Sequence, residues 1–199
     1  MRTLLVFASL ILLFVPVIYL DRTAKGHITP NPVSFFVRSV VAAMNLVTYF
    51  FTSGQDTFKT SVSLVSTVGL VTIFAYSLRK GRFSKVNNFD IVSGVIAILV
   101  AVIWKVSSDP VIANLLLQSA MFIAFVPAIR GVLAGVAREE VTPWALATLT
   151  YVLMVGALNL DVNTTWQQLV HPVFVGIGGN GGLMLAVIYK KYNEKGPLL

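Results

Sequence analysis

The 199-residue chain is strongly apolar, with 56% hydrophobic and only 12% charged residues. Soluble domains carry about twice that charged fraction, so the composition excludes a soluble globular protein and a disordered chain. Cysteine is absent from the sequence, which excludes disulfides, thiolate metal sites and iron–sulfur clusters. The net charge of +7 favours contact with anionic lipid head groups over nucleic acid, because no basic folded patch is indicated.

Seven segments are apolar enough to form helices that cross a bilayer, which takes roughly 20 residues. They are residues 4–20, 32–51, 60–78, 91–104, 111–129, 141–160 and 169–189. Backbone groups cannot stay unpaired in lipid and the short alternating segments of a barrel are lacking, so these spans are predicted to be helices. The first segment has an alternative interpretation as a cleaved signal peptide, although no small-residue cleavage site follows it.

The basic residues of the loops predict the orientation of the chain in the membrane. One side carries Arg2, Lys59 and Lys105. The other side carries most of the remaining cations: Arg22, Lys25, Arg79, Lys80, Arg82, Lys85, Arg130, Arg138, Lys190, Lys191 and Lys195. Because basic loops stay in the cytoplasm, we expect an integral membrane protein with its N-terminus outside and its C-terminus in the cytoplasm.

An internal repeat is indicated by two short motifs that recur at nearly the same spacing. The sequence FVPVI at residues 14–18 returns as FVPAI at 125–129, and the pair Thr29-Pro30 returns as Thr142-Pro143. Each motif lies at the same place in its span or loop, which predicts that spans one to three are repeated as spans five to seven. The expected division is a first three-helix repeat over 1–86, a linker helix over 87–108 and a second repeat over 109–199. Two parallel triplets need such a linker helix, so the prediction is an all-α, 3+1+3 architecture.

This layout resembles the PQ-loop superfamily, which includes the SWEET and SemiSWEET sugar transporters. Four prolines near the inner ends of the first two helices of each repeat carry the resemblance: Pro16, Pro30 (or Pro32), Pro127 and Pro143. The resemblance implies that these prolines support gating. An interior proline bends a helix, whereas Pro30, Pro32 and Pro143 are alternatively explained as helix starts. The glutamine that follows the family's proline is Val17 in one repeat and Ala128 in the other, so no sugar substrate is implied.

Four polar side chains within the spans are the predicted substrate-binding residues. Arg38 and Asn45 lie on the second span, where both are expected to line a substrate path. The alternative for Arg38 is that its side chain snorkels to the head groups. The alternative for Asn45 is a hydrogen bond that joins two helices. Asn180 lies in a glycine-rich run of the last span, and Thr67 is its rough counterpart on the third. The resemblance implies that an asparagine at this place contacts substrate, and close helix packing is the alternative.

Other polar residues receive more ordinary interpretations. His171 is expected to be a satisfied histidine at the membrane interface or a proton sensor. Asn114 and Gln118 are expected either to line the path or to pack against a neighbouring helix. Glu139 and Glu140 are expected to be solvated in a loop or paired with nearby cations.

The sequence therefore predicts facilitated diffusion of a small polar solute by alternating access, without an enzymatic activity, cofactor or metal. Its expected partners are the solute and membrane lipids, and a second copy of the chain if it forms a homo-oligomer. Nucleic acid is not an expected partner. Two alternatives stay open: an ion or anion channel, and a structural or accessory subunit that carries no flux. No carboxylate lies within a span, so uniport is expected.

Overall fold

The structure is a computed structural model that describes residues 1–80, 83–106 and 110–194. Arg82 and Lys195 of the loop-charge count and the predicted boundary at 108–109 lie outside these residues. Helices account for 83% of the described residues, among which there is no strand. The helices are α1 (Arg2–Ala24), α2 (Pro32–Thr52), α3 (Thr57–Lys80), α4 (Asn88–Val106), α5 (Pro110–Ile123), α6 (Phe125–Leu133), α7 (Val141–Asn159), α8 (Trp166–Val170), a π-helical segment (His171–Gly179) and α9 (Asn180–Glu194). The predicted all-α class is confirmed.

Six helical stretches of the described chain are long and apolar enough to cross a membrane. Four coincide with α1, α2, α3 and α7; the other two are Asn114–Leu133, formed by α5 and α6, and Trp166–Glu194. A shorter apolar stretch, Asn88–Val100, lies in α4. Large apolar side chains such as Phe14, Leu64 and Leu185 are exposed on the outside of the bundle. An apolar exterior of this kind suits an integral membrane protein.

The helices pack in a regular order. Helix α3 lies between α1 and α2, with contacts to both. In the C-terminal half, the long helix that runs from α8 to α9 contacts α7 on one side and α5 and α6 on the other. The two halves meet through contacts between α1 and α7 and between α2 and α5, while α4 packs against α5 and α2.

The bundle has two ends, which we call the N-terminal face and the basic face. The N-terminal face carries residues 1–2, 53–56 and 160–165, and the basic face carries residues 25–31, 83–87 and 134–140. On the basic face the loops of the two halves are joined directly. The backbone N–H of Thr29 donates to the Arg138 carbonyl at 2.8 Å, and the Arg138 N–H donates to Thr29 Oγ1, also at 2.8 Å.

Proline shapes the first span of the C-terminal half. Pro127 has no N–H for the carbonyl of Ile123, four residues earlier, and helical structure is interrupted at Ala124. The hydroxyl of Ser34 on α2 donates to the Ala124 carbonyl, so the break is hydrogen-bonded from the other half. Pro16 occupies the interior of α1, where its ring packs against Gly69 of α3.

Candidate functional site

A cavity of about 60 Å³ lies between the two halves of the bundle. A cavity needs roughly 10–15 Å³ of such space to hold one water, so this one has room for a few small polar molecules or atoms of a solute. All four predicted binding residues line it: Arg38, Asn45, Thr67 and Asn180. The structure thus brings together side chains from α2, α3 and the last helix, which the sequence separates widely.

Helix α2 directs its polar residues inward. Phe35, Arg38, Ala42, Asn45 and Tyr49 recur at spacings of three and four, so they share one helix face. All five are buried. Arg38 therefore reaches into the bundle, with only 5% of its surface exposed, instead of snorkelling toward head groups.

The guanidinium of Arg38 is enclosed by aromatic rings. Its Cζ lies 3.9 Å from the ring centre of Phe125, 5.3 Å from that of Trp144 and 5.4 Å from that of Phe35. Such contacts stabilise a cation through the negative face of the ring. Nevertheless, Arg38 Nε and Nη1 are buried without a hydrogen-bond partner among the described residues. A further hydroxyl in the cavity wall, Ser63 Oγ, is likewise buried with no partner in the described part of the chain.

A chain of buried amides lies beside the cavity. Gln118 Nε2 donates to Asn45 Oδ1 at 2.6 Å and to Asn114 Oδ1 at 3.1 Å. The oxygen of this amide, Gln118 Oε1, lies 2.7 Å from His171 Nδ1 and can only accept, so the ring nitrogen Nδ1 is protonated and donates to it. His171 is 4% exposed, and this hydrogen bond satisfies its Nδ1 inside the bundle. Asn45 thus joins helices and also lines the cavity.

The glycine run of the last helix allows two aromatic side chains to approach its backbone. A Cβ on Gly176 would clash with the side chain of Tyr151, and one on Gly179 would lie 2.5 Å from the ring of Phe125. The helix is π-helical here and returns to α-helix at Asn180, whose Nδ2 donates to the Gly176 carbonyl at 2.8 Å. Close packing and cavity lining therefore occur in the same segment, and neither excludes the other.

Thr67 lines the cavity from α3. Its hydroxyl is 2.8 Å from the Ser63 carbonyl and 3.2 Å from the Ala42 carbonyl of α2. This contact fixes α3 against α2 at the level of the cavity.

Glu139 is a functional candidate that the sequence analysis missed. It precedes α7 on the basic face and is 7% exposed, so the expectation of a solvated carboxylate is wrong. Tyr19 Oη donates to Glu139 Oε1 at 2.6 Å, and Trp144 Nε1 donates to Oε2 at 3.0 Å. Both donors line the cavity. Burial raises the pKa of Glu139 to about 8, although the two hydrogen bonds and the charge of Arg38 act in the opposite direction.

Contacts between the halves close the bundle on the basic face. Glu140 lies 3.5 Å from Arg22 Nε and 3.5 Å from His27 Nδ1, as expected of a carboxylate paired with a nearby cation. Together with the Tyr19–Glu139 hydrogen bond, they tie the end of α1 to the beginning of α7.

A second set of contacts between the halves lies on the N-terminal face. Lys59 Nζ on α3 lies 2.8 Å from Asp161 Oδ2 and donates to Gln168 Oε1 at 3.3 Å. Lys59 is only 4% exposed, unlike an ordinary loop lysine. The hydrogen bond from Lys59 lowers the pKa of Asp161, which keeps this carboxylate charged at neutral pH.

The four predicted gating prolines occupy different local positions. Pro16 lies inside α1 and lines the cavity, and Pro127 follows the break between α5 and α6. Pro143 is in the first turn of α7 and also lines the cavity, whereas Pro30 precedes the Asn31 cap of α2.

Comparison of the chain with protein-family models, with curated proteins and with solved structures finds no match. Among the described residues, no group of three or more His, Asp or Glu side chains is arranged to hold a metal ion. The site is therefore interpreted from its own geometry.

Proposed function

We propose that this protein is a membrane transporter that moves a small polar solute by alternating access. The observation that supports it is the central cavity, where buried polar side chains of both halves meet. Polar and charged groups inside a membrane bundle cost free energy unless they have a partner or a water-filled space. Arg38 and Ser63 have no hydrogen-bond partner for their buried atoms within the described ranges, so a solute or water has to supply it.

The packing order supports two equivalent three-helix units. In each unit the third span lies between the first and the second. Exchanging the units would exchange the α1–α7 contact with the contact between α5 and α2, as a twofold axis along the membrane normal requires. Pro16 recurs as Pro127 at the same place in the first span of each unit, which agrees with this exchange. We therefore propose the 3+1+3 arrangement, with α4 as linker, and membership in the PQ-loop superfamily.

In the proposed mechanism, the two units rock against each other around the cavity. The conformation described here has cross-unit contacts at both ends: Lys59–Asp161 on the N-terminal face, and Arg22–Glu140 and Tyr19–Glu139 on the basic face. In this mechanism, a conformation with both sets of contacts formed would lie between the two open states. Access from one face requires its contacts to separate while those of the other face hold. The helix break before Pro127 and the bend expected at Pro16 provide places where the units can flex.

The distribution of basic loops supports an N-terminus outside the cell. The basic face would then be cytoplasmic, and the Lys59–Asp161 pair would form the outer closure.

Cysteine accessibility tests alternating access without knowledge of the solute, since the natural chain contains no cysteine. We expect Ser63→Cys, in the cavity wall, to react with a membrane-impermeant thiol reagent from either side of a membrane vesicle. Ser119→Cys, on the exposed surface of α5, is the matched control and should stay unreactive in lipid.

Variants of the two closures then distinguish a carrier from the alternatives. Lys59→Met should raise the rate of reaction from the N-terminal face and lower it from the basic face, and Glu140→Gln should do the reverse. Rates that rise on both sides together would indicate a channel. A Ser63→Cys variant that folds but reacts from neither side would contradict transport and favour an accessory subunit.

A further inference from the structure

We propose that the solute bound in the cavity is a small monovalent carboxylate held by Arg38. This inference rests on the proposed transport function and specifies its substrate class. Arg38 is the charged side chain in the cavity wall, and its planar guanidinium matches the two oxygens of a carboxylate.

The protein itself does not provide the counter-ion at hydrogen-bonding distance. No Asp or Glu of the described residues forms a salt bridge with Arg38. The charge of Arg38 acts on Glu139, but the two oxygens of Glu139 accept from Tyr19 and Trp144. These two side chains thus hold Glu139 behind the cavity wall and leave the guanidinium available to a ligand.

The cavity walls also restrict the charge and size of the ligand. The rings of Phe35, Phe125 and Trp144 surround the cation and offer an apolar environment, in which one positive charge compensates one negative charge. A cavity volume of about 60 Å³ restricts the ligand to a molecule with few non-hydrogen atoms. A carboxylate with two or three carbons fits that space.

The cavity wall also carries neutral polar groups. Thr67, Asn180 and the unpartnered Ser63 hydroxyl line it, on the two central helices of the halves. A hydroxyl on the ligand would therefore find hydrogen-bonding groups besides the arginine, so hydroxylated carboxylates should bind better than unsubstituted ones.

Binding to the purified full-length protein in detergent tests this proposal. The probes are sodium acetate and sodium lactate. Sodium chloride at the same ionic strength and neutral acetamide serve as comparisons. Binding is measured by calorimetry and by the shift of the melting temperature. We expect both carboxylates to bind, and Arg38→Gln to weaken their affinity by at least about tenfold, since it removes a charge-assisted pair. Arg38→Lys should retain part of the affinity.

The matched control is Arg130→Gln, which removes another arginine over an aromatic ring, 4.2 Å from Phe89, on the surface of the bundle. It should leave carboxylate affinity unchanged. Equal effects of Arg38→Gln and Arg130→Gln, or binding of chloride as strong as that of acetate, would overturn the assignment.

A second readout does not depend on how Arg38 variants fold. Acetate and lactate should slow thiol modification of Ser63→Cys, whereas acetamide should not. If modification alternates between faces as described above but neither carboxylate slows it, the substrate class is wrong and the transport function stands. If the carboxylates protect the cysteine while access does not alternate, the binding site stands and the carrier mechanism is wrong.

Discussion

The stability of the protein should depend on pH through Glu139. Its pKa rises from an ordinary value of 4.5 to about 8 in the folded protein because the side chain is buried. The folded state thus binds the proton more tightly than the unfolded state. The resulting stabilisation is complete below pH 4.5 and is lost as the pH rises through 8.

The size of the effect follows from the linkage relation. Across this interval one proton changes the free energy of unfolding by about 1.4 kcal/mol per pH unit. Raising the pH from 6 to 8 should therefore destabilise the protein by about 2 kcal/mol, or lower its melting temperature by about 4–8 °C for a chain of this size. Tryptophan fluorescence at constant ionic strength in detergent follows the melting.

The variant Glu139→Gln should abolish this dependence. Glutamine can accept from Trp144 Nε1 and donate to Tyr19 Oη, so the variant stays folded while losing the titrating group. Glu140→Gln is the control, because it removes the neighbouring carboxylate that pairs with Arg22 and should leave the dependence in place. Parallel melting curves for wild type and Glu139→Gln between pH 6 and 8 would refute the reasoning.

Two further substitutions test the packing around the cavity. Gly176→Ala would make the new Cβ clash with Tyr151 and should destabilise the protein by about 1–3 kcal/mol. Gly156→Ala, with no atom within 4 Å of its new Cβ, should be neutral or slightly stabilising. Equal melting temperatures for the two variants would contradict the close approach of Tyr151 to the helix. Gln118→Leu should cost about 1–3 kcal/mol in chemical denaturation, because it leaves His171 Nδ1 buried without its acceptor. The control is Gln167→Leu, at a half-buried glutamine of α8. A smaller loss for Gln118→Leu than for this control would exclude the amide chain as a stabilising element.

The helical spans could be predicted because hydropathy is a local property of the chain. Each long apolar segment must pair its own backbone groups, whatever it packs against. The inward direction of Arg38 and Asn45 was predictable in part, since they share a helix face with Phe35 and Tyr49 at spacings of three and four. That face was still compatible with snorkelling, because only the packing partners of α2 decide how deeply Arg38 is buried.

The parts that could not be predicted depend on contacts between distant segments. Glu139 follows Arg138 and precedes Glu140 in a charged loop, so its sequence context indicates solvent. Its burial arises from Tyr19, which lies 120 residues earlier. His171 likewise looks interfacial from its place near the end of a span, and only the position of Gln118 on α5 shows that it belongs to a buried network.

The free-energy cost of burying the charged side chain of Arg38 is itself an argument for a bound ligand. Moving a charged group out of water costs several kcal/mol even after relaxation, and contacts with aromatic rings compensate about 2 kcal/mol of this when desolvated. A methionine would fill similar space without that cost, so packing alone does not explain an arginine whose Nε and Nη1 lack hydrogen-bond partners in the described structure. A bound carboxylate would supply both the missing acceptors and the missing charge. Replacing Arg38 by methionine should accordingly raise the melting temperature of the ligand-free protein and abolish its stabilisation by acetate, whereas a variant that is less stable without ligand would mean that the arginine serves the fold.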